Sequence, residues 1–147
     1  YNALVYGHPN KEETVDAPID RHRLQRTKMA VVSTGKPAVT HYRLNEMIAH
    51  CAWVDIKLET GRTHQIRVHM MHIGHPLVGD QVYRRGRPGL GNSTGEARAL
   101  VDGFPRQALH ARRLGLIHPT HGEPIEFEVP LPSDLDGLLV ALRRVNV

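Results

Sequence analysis

The chain has 147 residues, 40% apolar and 23% charged, with 19 Lys and Arg against 15 Asp and Glu for a formal charge of +4. This is the composition of one globular domain able to bury a core, and it excludes disorder, collagen and coiled coil. The one cysteine, Cys51, excludes a disulfide framework and a thiolate zinc cage and points to a reducing, cytoplasmic compartment, while no run nears the ~20 apolar residues of a membrane helix and no signal pattern opens the chain.

Tyr1 to Gly7 reads as a β-strand already under way. A chain opening on Tyr1 rather than Met is expected to be a fragment whose first strand has lost neighbours, leaving an edge through which it self-associates. Lys11 to Val15 reads as a charged turn and Asp16-Ala17-Pro18-Ile19-Asp20 as an extended piece. Arg21, His22, Arg23, Arg26 and Lys28 then crowd together, a positive field suited either to solvent or to phosphate.

From Lys36 to Ile48 the chain alternates small or apolar with polar residues, as a half-buried strand does. Ala52 to Glu59 alternates more strictly, with Ala52, Val54, Ile56 and Leu58 on one face and Trp53, Asp55, Lys57 and Glu59 on the other. The two strands are expected to pair antiparallel. Ile66, Met70 and Ile73 recur at helical spacing, with Val68 extending the apolar side, and predict a helix over Thr63 to Gly74. Thr60 or Thr63 would cap it, and Gly74 with Pro76 would stop it. His75 to Tyr83 carries no clear pattern, and Arg84 to Gly95 reads as an exposed Gly/Pro-rich loop. Ala108 to His118 predicts a strand, Pro119 to Gly122 a turn and Pro124 to Pro130 the returning strand. Ser133 opens a terminal helix, acidic at its start and ending near Arg143 and Arg144, as the helix dipole favours.

The most unusual segment, Leu58 to His69, places Arg62, His64, Gln65, Arg67 and His69 on a strand-to-helix junction. Such a junction offers unpaired N–H groups to an anion, Gly61 allows a tight turn, and Arg62 can fork two hydrogen bonds onto a carboxylate or phosphate. Arg67 faces another side of the helix and suits either solvent or phosphate. His64, His69, His72 and His75 invite a metal reading, but they match no HExxH spacing and have few carboxylates near them, so no metal is expected.

Thr60-Gly61-Arg62-Thr63-His64-Gln65-Ile66-Arg67-Val68-His69, followed by His75-Pro76-Leu77-Val78-Gly79-Asp80 and Tyr83, resembles the signature of the RluA-type RNA pseudouridine synthases. Gln107 to Ala111, His118-Pro119 and Tyr1 to Gly7 resemble further segments of that family, so the likeness runs from Tyr1 to about Pro132. Val15 to Ile19, Arg26 to Val31 and Gly35 to Tyr42 resemble the branch acting on large-subunit ribosomal RNA.

The resemblance implies an α+β fold, a mixed and mainly antiparallel sheet with flanking helices, in which residues 1–147 form the C-terminal portion of one catalytic domain. It implies isomerisation of uridine to pseudouridine in ribosomal RNA without cofactor or metal, on a base flipped out of the RNA. By the same resemblance Arg62 pairs with the catalytic aspartate, Tyr1 stacks on the flipped base and Ile66 lies against the base pocket. His64, Gln65, Arg67, Arg21, Arg23, Arg26, Lys28 and Lys36 are the expected RNA contacts. The family's aspartate belongs to a His-Arg-Leu-Asp segment that does not occur in these residues, so the chain by itself is expected to be inactive. The alternatives are a non-catalytic RNA-binding module on the same scaffold and a histidine-rich metalloenzyme.

Overall fold

The computed structural model describes residues 1–84 and 95–145. The loop predicted over Arg84 to Gly95 lies, apart from its two ends, outside the described residues. The strands are β1 Asn2–Tyr6, β2 Glu12–Asp16, β3 Ile19–Arg21, β4 Met29–Val31, β5 Val39–Ile48 and β6 Cys51–Leu58, then β7 Leu109–His110, β8 Arg113–Ile117 and β9 Pro124–Glu128. The helices are α1 Gln65–His72, α2 Gly95–Asp102 and α3 Ser133–Val145. This is the expected α+β class. Strands β2, β5, β6, β1 and β7 form one sheet in that order with every pair antiparallel, while β3–β4 and β8–β9 are separate hairpins.

Period-two alternation sorts the core onto both faces of the main sheet. Ala3 and Val5 of β1 join Ala52, Val54 and Ile56 of β6 in packing against Ile66 and Met70 of α1. Leu4 and Tyr6, with Cys51 and Trp53, face the other way onto Ala97 and Val101 of α2 and Leu135, Leu138, Leu139 and Leu142 of α3. Trp53 therefore corrects the one-sided reading of β6: the face assigned to solvent is covered at its start, because helices from the last third of the chain pack there. Burial pushes the Cys51 thiol up to about 12, which leaves it inert as a nucleophile.

Several predicted boundaries shift. Lys11 to Val15 is not a turn, since Glu12–Asp16 pairs with β5 in register Thr14 to His41. The strand predicted over Ala108 to His118 is broken after His110: β7 joins the main sheet, and β8 leaves it to pair with β9. Helix α2 carried no sequence expectation, although Ala97 and Val101 stand at i,i+4 on its buried side. The open edge expected at β1 is also absent. β1 lies between β6 and β7, with Asn2 opposite both Asp55 and His110, so the sheet's outer strands are β2 and β7.

Candidate active-site cleft

The turn between β6 and α1 is built by one buried amide. The Gln65 side chain, 2% exposed, accepts from the Thr60 hydroxyl at 2.7 Å and from the Arg62 backbone N–H at 3.0 Å. Its Nε2 donates to the Val39 carbonyl and to the Thr40 hydroxyl oxygen, each at 3.0 Å. The Thr40 hydroxyl in turn donates to His69 Nδ1 at 2.7 Å, and His69 Nε2–H donates to the Ala17 carbonyl at 2.8 Å. Burial holds the His69 ring below its ordinary pKa, partly offset by the bond to Ala17, so it remains neutral in this chain of bonds. Each member is satisfied, as buried polar groups must be.

The capping expectation is corrected here. Neither Thr60 nor Thr63 caps α1; the cap position is His64, with φ 56° and no side-chain cap bond, because Gln65 already claims the Thr60 hydroxyl. Gly74, with φ 88°, ends the segment as expected.

Around this turn Tyr1, Leu58, Gly61, Arg62, Ile66 and Leu109 line an open cleft of about 350 Å³. The cleft brings together the three residues assigned to catalysis and base packing. Tyr1 is 40% exposed at its mouth, while Ile66, 5% exposed, also packs beneath the sheet. Arg62 Nε donates to the Pro37 carbonyl at 2.8 Å, and the Nη atoms have no partner among the described residues. None of the cleft's lining residues is a carboxylate.

The expected RNA contacts divide. Gln65 is committed to the buried network. Arg67 forks Nε and Nη2 onto Asp80 at 2.7 and 3.0 Å, with the Arg67 side chain 13% exposed and that of Asp80 fully buried. Burial alone would raise the Asp80 carboxyl, but Arg67 and the N–H groups of Tyr83 and Val82 outweigh it and hold it below the usual carboxylate range. His64 stands exposed at the cleft rim, its Nδ1 2.6 Å from the Tyr83 hydroxyl.

Arg21, Arg23, Arg26 and Lys28 lie on the β3–β4 hairpin, exposed except for the half-buried Lys28, and Arg21 Nη1 donates to the Arg26 carbonyl. Lys36, exposed, precedes the Pro37 that receives Arg62. His22, Arg23, Leu24 and Gln25 of the loop between β3 and β4 are not among the residues lining the cleft.

Tyr83, Asp80, Gln107 and Leu109 are the residues whose part at the site composition and spacing miss. The signal available was the family likeness over Asp80, Tyr83 and Gln107; Leu109 reaches the cleft only because β7 pairs with β1. Among the described residues no group of three or more His, Cys, Asp or Glu converges as a metal site, and no helix is long and apolar enough to cross a membrane.

The chain belongs to the RNA pseudouridylate synthase family, whose model matches residues 1–72. It is similar to the ribosomal large subunit pseudouridine synthase D of Nitrosomonas europaea, with 52% identity covering 99% of this chain and 41% of the relative. The enzymes of the same name from Pseudomonas aeruginosa and Escherichia coli are 53% and 51% identical, covering 98% and 97% of this chain and 45% and 44% of theirs. The chain thus spans less than half the length of these relatives. Human RNA Pseudouridylate Synthase Domain Containing 1 superposes with TM-score 0.69 at 32% identity, over 93% of this chain and 56% of that one. Human RNA Pseudouridylate Synthase Domain Containing 4 gives TM-score 0.71 at 27% identity, over 97% and 60%.

Proposed function

We propose that this chain is part of an enzyme that isomerises uridine to pseudouridine in large-subunit ribosomal RNA, and that its cleft is one wall of the active site. The observation that carries this is the convergence of Tyr1, Arg62 and Ile66 on one cleft, with the Arg62 Nη atoms free of partners among the described residues. The isomerisation breaks the N1–C1′ bond, turns the uracil, forms C5–C1′, loses a proton from C5 and gains one at N1. Atoms and electrons balance, so neither redox cofactor nor co-reactant is called for. An aspartate carboxylate acting at the sugar must stay ionised, and a guanidinium beside it favours that form. Arg62 fills this role, Ile66 gives the uracil an apolar wall, and Tyr1 offers a ring at the mouth. The aspartate comes from outside the residues lining this cleft, and the exposed cations of the β3–β4 hairpin with Lys36 meet the phosphates.

The test is pseudouridine formation on a large-subunit rRNA transcript by the complete product of the gene. Arg62→Ala is expected to cut turnover at least about a hundredfold, the scale of a lost charge-stabilising donor, while RNA affinity changes by less than about threefold. Equal loss of both would make Arg62 a phosphate contact. RNA binding without conversion by the complete product would establish the binding-module reading instead.

A further inference from the structure

His64 departs from the bland surface histidine in three ways. Its backbone sits at φ 56°, a region that non-glycine residues occupy at a cost and that concentrates at functional sites. Its ring nitrogen Nδ1 is 2.6 Å from the hydroxyl of Tyr83, a residue with no exposed surface, and its side chain lies on the rim of the Arg62 cleft. The Tyr83 ring is itself held in place: the Arg67 guanidinium lies 4.7 Å from its centroid, and Asp80 Oδ1 accepts from the Tyr83 backbone N–H at 3.0 Å.

The proton arrangement follows from counting donors. The Met29 backbone N–H donates to the Tyr83 oxygen at 2.9 Å, and Met29 and His64 are the hydroxyl's two partners among the described residues. A buried O–H left without an acceptor costs about 1–3 kcal/mol. The Tyr83 O–H therefore donates to His64 Nδ1, and the ring proton of a neutral His64 sits on Nε2. Burial and the nearby Arg67 charge lower the pKa of this ring, which keeps it neutral.

We infer that His64 is a substrate-contacting residue, a neutral imidazole whose tautomer the Tyr83 hydroxyl fixes so that Nε2–H is presented at the cleft rim to an acceptor oxygen of the uridine. Tyr83 is then a positioning residue, with Asp80 and Arg67 holding it. This rests on the uridine reading of the cleft. It adds the polarity of the contact: a donor without charge discriminates for a carbonyl or hydroxyl oxygen, where Arg62 and the hairpin cations serve anions. It also links the site to the basic hairpin, because the same hydroxyl takes the N–H at the first residue of β4.

The experiment is long-range proton–nitrogen NMR of the complete product of the gene above neutral pH, followed by titration with uridine 5′-monophosphate. The expected spectrum shows His64 as the Nε2–H tautomer in the wild type and as a mixture in Tyr83→Phe. The nucleotide is expected to bind roughly five- to tenfold more weakly to His64→Leu, the size of one neutral hydrogen bond, with His64→Gln recovering most of that loss. A wild-type ring protonated on Nδ1, or wild-type affinity in His64→Leu, overturns the inference while leaving the uridine reading intact. The expected tautomer with no nucleotide binding by the wild type overturns the uridine reading and, with it, this ligand for His64.

Discussion

Arg67 and Asp80 show how a residue that looks available for RNA is spent on architecture. The pair is almost dry, so removing one partner strands a charge where water cannot reach it. Arg67→Ala is expected to lower the unfolding free energy by about 3–5 kcal/mol, and Arg67→Lys to recover little of it, because an ammonium cannot reproduce the two parallel bonds. Urea denaturation measures both. His69 sets a pH dependence of definite sign. An unfolded histidine takes up a proton near pH 6.5, whereas the buried ring with its lowered pKa resists, so below that pH the unfolded chain binds more protons. Stability should therefore fall as pH drops from 7 to 5, and His69→Gln should be weaker at pH 7 yet show a flatter profile. Side-chain chemistry made Arg62 legible as an anion-seeking residue at a turn. It could not separate Arg62 from Arg67, since that depends on Asp80 arriving thirteen positions later to claim one of them.

Elements were legible where the chain's own pattern decided them. β6 and the β8–β9 hairpin followed from alternation, and α3 from its polar ends and buried leucines. What stayed hidden depended on partners distant in sequence. Trp53 is buried by α2 and α3, β7 is a strand only because β1 lies alongside, and α1 goes without a side-chain cap because Gln65 draws Thr60 away. Two glycines separate helix propensity from backbone geometry. Gly137 lies exposed in α3 with open space where a Cβ would go, so Gly137→Ala should stabilise by about 0.5–1 kcal/mol. Gly79, at φ 80°, would drive a Cβ into the Arg106 carbonyl, so Gly79→Ala should destabilise clearly. Thermal denaturation of the two variants side by side checks the opposite signs.

At the scale of the whole molecule, a net charge of +4 understates the local field, because the β3–β4 hairpin gathers its cations on one exposed projection. RNA affinity should fall linearly on a log–log plot against salt, and replacing Arg23 and Arg26 by Gln should flatten that slope by roughly one to two, as filter binding over a salt series would record. The β8–β9 hairpin stands out differently, with Leu114, Leu116 and Phe127 exposed on it. Neither projection was legible as such, since sequence periodicity reports which face of a strand is apolar and not whether anything covers it. The central place of β1 bears on how the sheet comes into being. Its two neighbours are encoded about fifty and a hundred residues later, so as the polypeptide leaves the ribosome this apolar strand waits for its partners in this sheet until β6 emerges, and its second flank closes only with β7. Assembly is therefore governed by loop closure over most of the chain's length, which makes for slow folding and gives a chaperone that shields nascent apolar segments a reason to meet this one early.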